Sequence, residues 1–318
     1  MRGHGHGVEL TCQVLREQGL AVSSRSYRAW RKRPPADRTI DDAAIVAVFH
    51  ELRERDKKGR QKPEVLYGRR KMTAWLARNG FPDVSKHTVD RLMRQEGMNG
   101  LIRGRRTRTT IPGKDGHRAK DLLNRCFTAP HPNHTWVTDF TYVPTWGGFT
   151  YVALVIDLHP RTIVGWSTST VKDTPFVEEA LKMALWRRDH AGQPVPAGLI
   201  HHSDAGSQYT SIRYTDTLVL EGLQASIGTV GDAYDNAAAE TVMGLFKNEA
   251  IAKDSPFRTG PLRTETDVVE IVFDWVNWYN TERLHSALGN IPPEEYERNY
   301  YAETNGPSTG DAANKTAA

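Results

Sequence analysis

Cysteine is nearly absent: the chain has two in 318 residues, Cys12 and Cys126. They lie far apart and fit neither zinc-ligand spacing nor a disulfide framework, which excludes a zinc finger and a stapled secreted domain. No run of about 18 apolar residues occurs, so no membrane span is expected. The opening MRGHGHGVEL lacks the apolar core of a signal peptide, and a reducing cytoplasm is the simplest setting. Acid is scarce at first. Residues 1–125 hold 29 Lys and Arg against 14 Asp and Glu, whereas residues 126–318 hold 13 against 24. The net charge of +4 therefore hides a basic part suited to phosphates and an acidic part with other work.

The basic part reads as helices. VELTCQVLREQGL stops at Gly19, and SSRSYRAWRKR stops at Pro34-Pro35. Residues 41–56 are periodic. In YGRRKMTAWLARNG, Met72, Trp75 and Leu76 share a face before Gly80. In SKHTVDRLMRQEG, Ser85 is a good N-cap and Val89, Leu92 and Met93 share a face. This pair, carrying Lys86, Arg91 and Arg94, has the pattern of a helix-turn-helix. The segment RGRRTRTTIPGKDGHRAK, with Arg103, Arg105 and Arg106, has almost no apolar periodicity and is expected to be a basic linker along a DNA backbone. The expected divisions are a short helical segment 1–40, the helix-turn-helix 41–102, a linker 103–130, a core 131–300 and a disordered tail 301–318.

From Trp136 the texture changes to strands. TWVTDFTYV, TYVALVID and RTIVGWSTST are joined first by a hairpin turn at TWGGF. A helix follows, TPFVEEALKMALWRRD, with Thr174 as its expected cap. The strand GLIHHSD, the helix SIRYTDTLVLEGL, the strand QASIG and the helix DNAAAETVMGLFKNEAI complete the series. Three antiparallel strands, then helix–strand–helix–strand–helix, describe an α/β ribonuclease-H-like core with a mixed five-stranded sheet.

Three acids stand out on this scaffold. Asp139 interrupts an apolar strand, where a charge is costly unless paired or bound to a cation; an exposed edge position is the alternative. Asp204 follows the fourth strand, where Asp and Gly also make ordinary turns. Glu240 lies opposite Ala238, Val242 and Leu245 on its helix and shares a direction with Lys247. Strands one and four are neighbours in such a sheet, so the two aspartates would meet and the later helix would lower Glu240 onto them. Three carboxylates raise one another's pKa, whereas two hard divalent cations would make them a phosphoryl-transfer site. His201 and His202 are not assigned as ligands, because hard cations prefer oxygen. Asp157 is expected at a strand end.

The segments WVTDFTY, HHSDAGSQYTS, GDAYDNAAAETVMGLFKNE and WYNTERLHSALGNIPPEEYE, with YGRRKMTAWL and VDRLMRQEGM, resemble bacterial insertion-sequence transposases of the DDE class. These are relatives of retroviral integrases, and more narrowly the chain looks like the OrfB-type catalytic protein of the IS-three family. The resemblance implies that Asp139, Asp204 and Glu240 form the catalytic, metal-holding triad, with two Mg2+ ions that Mn2+ can replace. It implies that Lys247 contacts DNA near the reactive phosphate. Asp235 and Asn236 match the family's tripeptide ahead of the Glu240 helix, and either can cap it. Gln208, beside Ser207, either touches DNA or only shapes its loop. Trp278, Tyr279, Asn280, Arg283 and His285 form a characteristic block that either grips DNA, through Arg283, or packs structurally. The implied partners are double-stranded DNA at terminal inverted repeats and target, and further copies of the chain on that DNA. An upstream-frame helix-turn-helix and leucine-zipper protein is a further implied partner. The implied setting is the bacterial cytoplasm beside the nucleoid.

Overall fold

The computed structural model describes residues 7–101, 121–123, 127–228 and 236–305. Its contacts divide the chain into two units, Met1–Phe49 and His50–Ala318. In the first, α1 (Val8–Glu17) and α2 (Ser24–Lys32) form a short pair. Arg28 ion-pairs Glu9 between them, and Ser23 caps α2 by accepting from the Ser26 N–H at 3.0 Å. The next helix, α3 (Asp37–Arg53), runs straight through residues 40 and 41, so no break falls there. Once Pro34-Pro35 has ended α2, nothing later in the sequence delays a new start, and Asp37 supplies the acid that a first turn favours.

The second unit opens on the predicted helical pair. α4 (Arg69–Arg78) and α5 (Lys86–Gln95) bury Met72, Leu76, Val89, Leu92 and Met93 between them and their surroundings. Ser85 caps α5 by accepting from the Thr88 N–H at 3.1 Å. Gly80 takes φ +97°, a conformation that L side chains resist, and so turns the chain after α4.

The sheet has the order β3-β2-β1-β4-β5. β1 (Thr135–Thr145) pairs antiparallel with β2 (Gly148–Asp157) across a two-residue turn. β2 pairs antiparallel with β3 (Ile163–Ser169). β1 pairs parallel with β4 (Ile200–Ser203), and β4 with β5 (Gln224–Ile227). The last six residues of β2 are all buried, as a strand covered on both faces must be. One covering layer is α6 (Thr174–His190) with α7 (Ile212–Leu220). Trp136, Val155, Val164, Phe176, Leu181 and Leu218 share a core there. At Gly165 a Cβ would stand 2.2 Å from the Ala180 carbonyl oxygen, so β3 and α6 approach as closely as only glycine permits. The other layer is α8 (Ala237–Phe246) over β1 and α9 (Glu265–Thr281) over β3. The Asn280 amide completes the sheet edge, accepting from the Ile163 N–H and donating to its carbonyl, both at 2.9 Å.

Three expectations need correction. The cap of α6 is Asp173, which accepts from the Phe176 N–H at 3.2 Å, and Thr174 is already helical; with Pro175 next, the earlier of two adjacent capping residues is used. The last helix, α10 (Pro293–Asn305), runs past residue 300, because Tyr300 packs its ring 4.9 Å from His159; residues 306–318 lie outside the described residues. The helix-turn-helix segment is also fastened to the core rather than set apart from it. The Trp278 indole donates to Glu64 at 3.1 Å. Tyr67 Oη accepts from the Leu284 N–H at 3.0 Å. Arg60 pairs with Asp274 at 2.6 Å.

Candidate active site between β1 and β4

The register of β1 and β4 places the two aspartates. Val137 pairs with His202, and two residues further along stand Asp139, still within β1, and Asp204, just past the end of β4. Adjacent strands lie about 4.8 Å apart, so parallel pairing alone brings the carboxylates to one end of the sheet. Both are half-buried. Asp139 Oδ1 accepts from the Phe140 N–H at 2.8 Å, and Asp204 Oδ1 from the Gly206 N–H at 3.1 Å. A Cβ on Gly206 would sit 2.9 Å from that same oxygen, so the turn after β4 needs glycine. The reading of Asp204 as a turn residue is thus partly right: its Oδ1 shapes the turn.

Burial, then Asp204, pushes the Asp139 carboxyl up to about 8, with Glu240 adding to the effect and Lys247 opposing it. Asp204 is also raised, first by burial, against the Gly206 N–H, Lys172 and His202. Asp139 therefore feels both other predicted acids and Lys247. Among the described residues no three His, Cys, Asp or Glu side chains are drawn together tightly enough to hold a metal by themselves. Beneath the pair, the Tyr209 hydroxyl is 3.4 Å from Thr138 Oγ1, and its phenol is pushed well up by burial and then Asp139.

Asn236 departs from expectation. It precedes α8 but makes no capping hydrogen bond; its amide donates to the Thr138 carbonyl at 3.0 Å. The start of the Glu240 helix is thereby tied to the residue before Asp139. Asp235, Arg103, Arg105 and Arg106 lie outside the described residues, as does Cys126. α8 leads into a π-helical turn, Lys247–Ile251, a form enriched at functional positions. There Lys247 is exposed, its Nζ 5.3 Å from the Tyr142 ring centre. Gln208 donates to the Lys172 carbonyl at 3.4 Å, a loop-shaping contact.

Arg283 must be reassigned. It is buried and gives its guanidinium to Glu249 at 2.6 and 2.8 Å. It lies against the Trp278 and Tyr279 rings, so the block around it packs structurally and Arg283 is not offered to DNA. His201 and His202 are both buried, His201 against the Tyr214 hydroxyl at 3.2 Å and His202 against Ser226 at 2.9 Å. Asp157 ends β2 in a buried cluster with Arg188 and Glu297. Lys86, Arg91 and Arg94 stand on α5, outside the acid site; Arg94 pairs with Asp90 at 2.6 Å and Arg91 reaches Gln95 at 3.3 Å. Sequence reasoning missed Lys172 and Glu249. Nothing in their spacing marks them, since each gains its meaning only from a distant partner.

A mixed five-stranded sheet with one acid midway along β1 and another just past β4 is the plan of an integrase-type catalytic core. The integrase core domain family matches residues 129–233 and again 221–293, and an HTH-like domain family matches residues 36–106. A protein of insertion sequence element IS986/IS6110 from Mycobacterium tuberculosis is 39% identical over 92% of this chain and 100% of its own. The transposase for insertion sequence element IS629 of Shigella sonnei is 46% identical over 74% of this chain and 75% of its own. The HTLV-2 integrase catalytic core domain in complex with magnesium aligns with 53% of this chain and 98% of its own, at 15% identity and a TM-score of 0.39. The chain belongs to the insertion-sequence transposase family. No helix among the described residues is long and apolar enough to cross a membrane.

Proposed function

We propose that the protein cleaves DNA at the ends of its insertion sequence and joins the freed ends to new DNA. The observation that carries this reading is the placement of Asp139 and Asp204 two residues past the last β1–β4 pair, Val137 with His202, with Asp204 and Glu240 both close enough to raise Asp139. An all-oxygen, mutually repelling set of carboxylates suits hard divalent cations, Mg2+ or Mn2+. Asp139, Asp204 and Glu240 are the residues that would hold two such ions. Bound there, the ions supply Lewis acidity at the phosphate and a nucleophilic oxygen at neutral pH.

The chain's own groups do the rest. Lys247, exposed beside the acids, binds a phosphate of the strand being cut. Asn236 keeps α8, and with it Glu240, in place over β1. In the first step an oxygen of water forms a bond to phosphorus and the bond to the 3′ oxygen breaks, releasing a 3′-hydroxyl. In the second step that hydroxyl attacks another phosphodiester in line, forming a new P–O bond while the attacked strand's 3′ oxygen leaves and takes up the proton. Each displacement trades one P–O bond for another and needs no oxidant or energy source. Lys86, Arg91 and Arg94 on α5 would take phosphates of the terminal repeats, and pairing two ends calls for at least two copies on DNA.

Purified chain, Mg2+ and labelled duplexes carrying the element's ends test this. Nicking at the terminal nucleotide followed by joining to a second duplex, both lost in Asp204→Asn, is the expected result. Nicking without joining would indicate a nuclease or the need for an upstream-frame partner, and adding that partner separates the two. Normal cleavage by Glu240→Gln would sink the triad.

A further inference from the structure

The β1–β2 hairpin carries aromatics that the acid site does not use. Trp146 at its tip is 74% exposed, and Phe149 and Tyr142 are 53% and 44% exposed. The tip is held, not loose: the Trp146 and Gly147 N–H groups donate to the Leu262 and Arg263 carbonyls, both at 3.0 Å. Tyr142 and Phe149 meet edge to face at 5.2 Å. A folded protein that fixes three large rings in water forgoes burial worth about 2 kcal/mol for each, so the exposure calls for an occupant.

The cations identify it. Arg263 lies over Trp146 at 5.6 Å, Lys247 over Tyr142 at 5.3 Å, and Lys172 over Phe140 at 4.8 Å. Of the exposed rings, Trp146 and Tyr142 each have a positive charge of their own, as does the half-buried Phe140, and Phe149 joins them through its contact with Tyr142. Two of these cations also reach the acids, Lys247 acting on Asp139 and Lys172 on Asp204. β4 pairs with β1 only as far as Val137, so beyond the acids this edge of β1 has no strand partner among the described residues. Tyr142 is three residues past Asp139, about 10 Å along the strand, the length of roughly three stacked nucleotides. Alternating π faces and cations form a surface for unpaired bases on a polyanionic backbone, whereas an apolar protein partner would leave these charges desolvated.

We propose that the β1–β2 hairpin is a stacking platform for unpaired bases of the DNA strand whose backbone enters the acid site. The proposal rests on the reading of Asp139, Asp204 and Glu240 as the place of reaction. The platform holds the end of the duplex open, so that the scissile phosphate reaches the acids without the complementary strand in the way.

Two measurements on the full-length chain test it. In an Asp204→Asn background, anisotropy of a labelled oligothymidylate should show Trp146→Ala and Phe149→Ala each weakening single-strand binding by roughly fivefold or more, the cost of losing one base–aromatic stack. Duplex binding should hold. With Asp204 intact, the double variant should lose cleavage on a fully paired element end and regain it when the terminal pairs are mismatched. Unchanged single-strand affinity, or equal loss on paired and mismatched ends, would overturn the proposal. So would a fall in oligomeric mass with single-strand binding intact, which would assign the rings to contact between copies. If the unsubstituted chain cuts neither end, the acid-site reading fails by itself, and the anisotropy still decides the platform.

Discussion

Replacing Arg283 with Met should unfold the protein more readily without weakening its direct hold on DNA. Arg283 and Glu249 are 4% and 5% exposed, and their two charged hydrogen bonds at 2.6 and 2.8 Å are what keep either charge tolerable there. His285 cannot stand in for the lost cation: burial, then Arg283 itself, pushes its imidazole down to about 2, so it is neutral. Removing one partner of a buried pair leaves the other charged and dry, at a cost of about 3–5 kcal/mol. At roughly 2–4 °C per kcal/mol for a unit of this size, Tm should fall by about 6 to 20 °C. The double variant Arg283→Met, Glu249→Met should recover most of that loss, because an apolar pair of similar volume is often as stable as the ion pair. Thermal unfolding of the two single variants and the double variant, with duplex affinity measured well below each transition, decides the matter. A single variant that melts with the parent but binds duplex tens of times more weakly would restore Arg283 to the DNA surface and refute the reasoning.

Asp139→Asn should abolish cleavage yet stabilise the metal-free protein above neutral pH. The folded state keeps a proton on Asp139 up to about 8, whereas an unfolded Asp loses it near 4. Stability therefore falls as pH rises between those values in the parent, and unfolding curves at pH 6 and pH 8 should show a smaller fall in the variant. By the same linkage, Mg2+ must displace that proton, so calorimetric metal binding should be tighter at pH 8 than at pH 6, with protons released on binding below pH 8; a pH-independent affinity would contradict this. Asn236→Ala removes the amide that holds α8 to Thr138; the loss in stability should be about 1 kcal/mol, with a disproportionate loss of kcat and unchanged duplex affinity. Gly165→Ala drives a methyl into the Ala180 carbonyl and Ala184 and should cost about 1–3 kcal/mol or more through forced separation of β3 and α6, read by denaturant titration.

The parts of this molecule legible in its sequence are those that local pattern decides. Ser85 before Val89, Leu92 and Met93 announces α5. The unbroken apolar run of β2 announces a strand covered on both faces, and the Asp139 and Asp204 positions acquire a meeting point once strands one and four are taken as parallel neighbours. What stayed hidden depends on partners far along the chain. Arg283 and the arginines of α5 look alike in sequence, and in a chain with so basic a first half each reads as a phosphate ligand. Only Glu249, 34 residues earlier and set in a π-helical turn that no 3.6-residue pattern encodes, settles where the charge of Arg283 is spent. That turn is also where Lys247 sits, two residues before Glu249. The buried pair thus does for the catalytic edge what a cap does for a helix: it fixes a segment whose i→i+5 hydrogen bonds depart from the α-helical ladder, and with it a cation that acts on Asp139. For that reason the stability of Arg283→Met and the activity left to its folded fraction should fall together, whereas Lys247→Ala should lose activity with Tm unmoved.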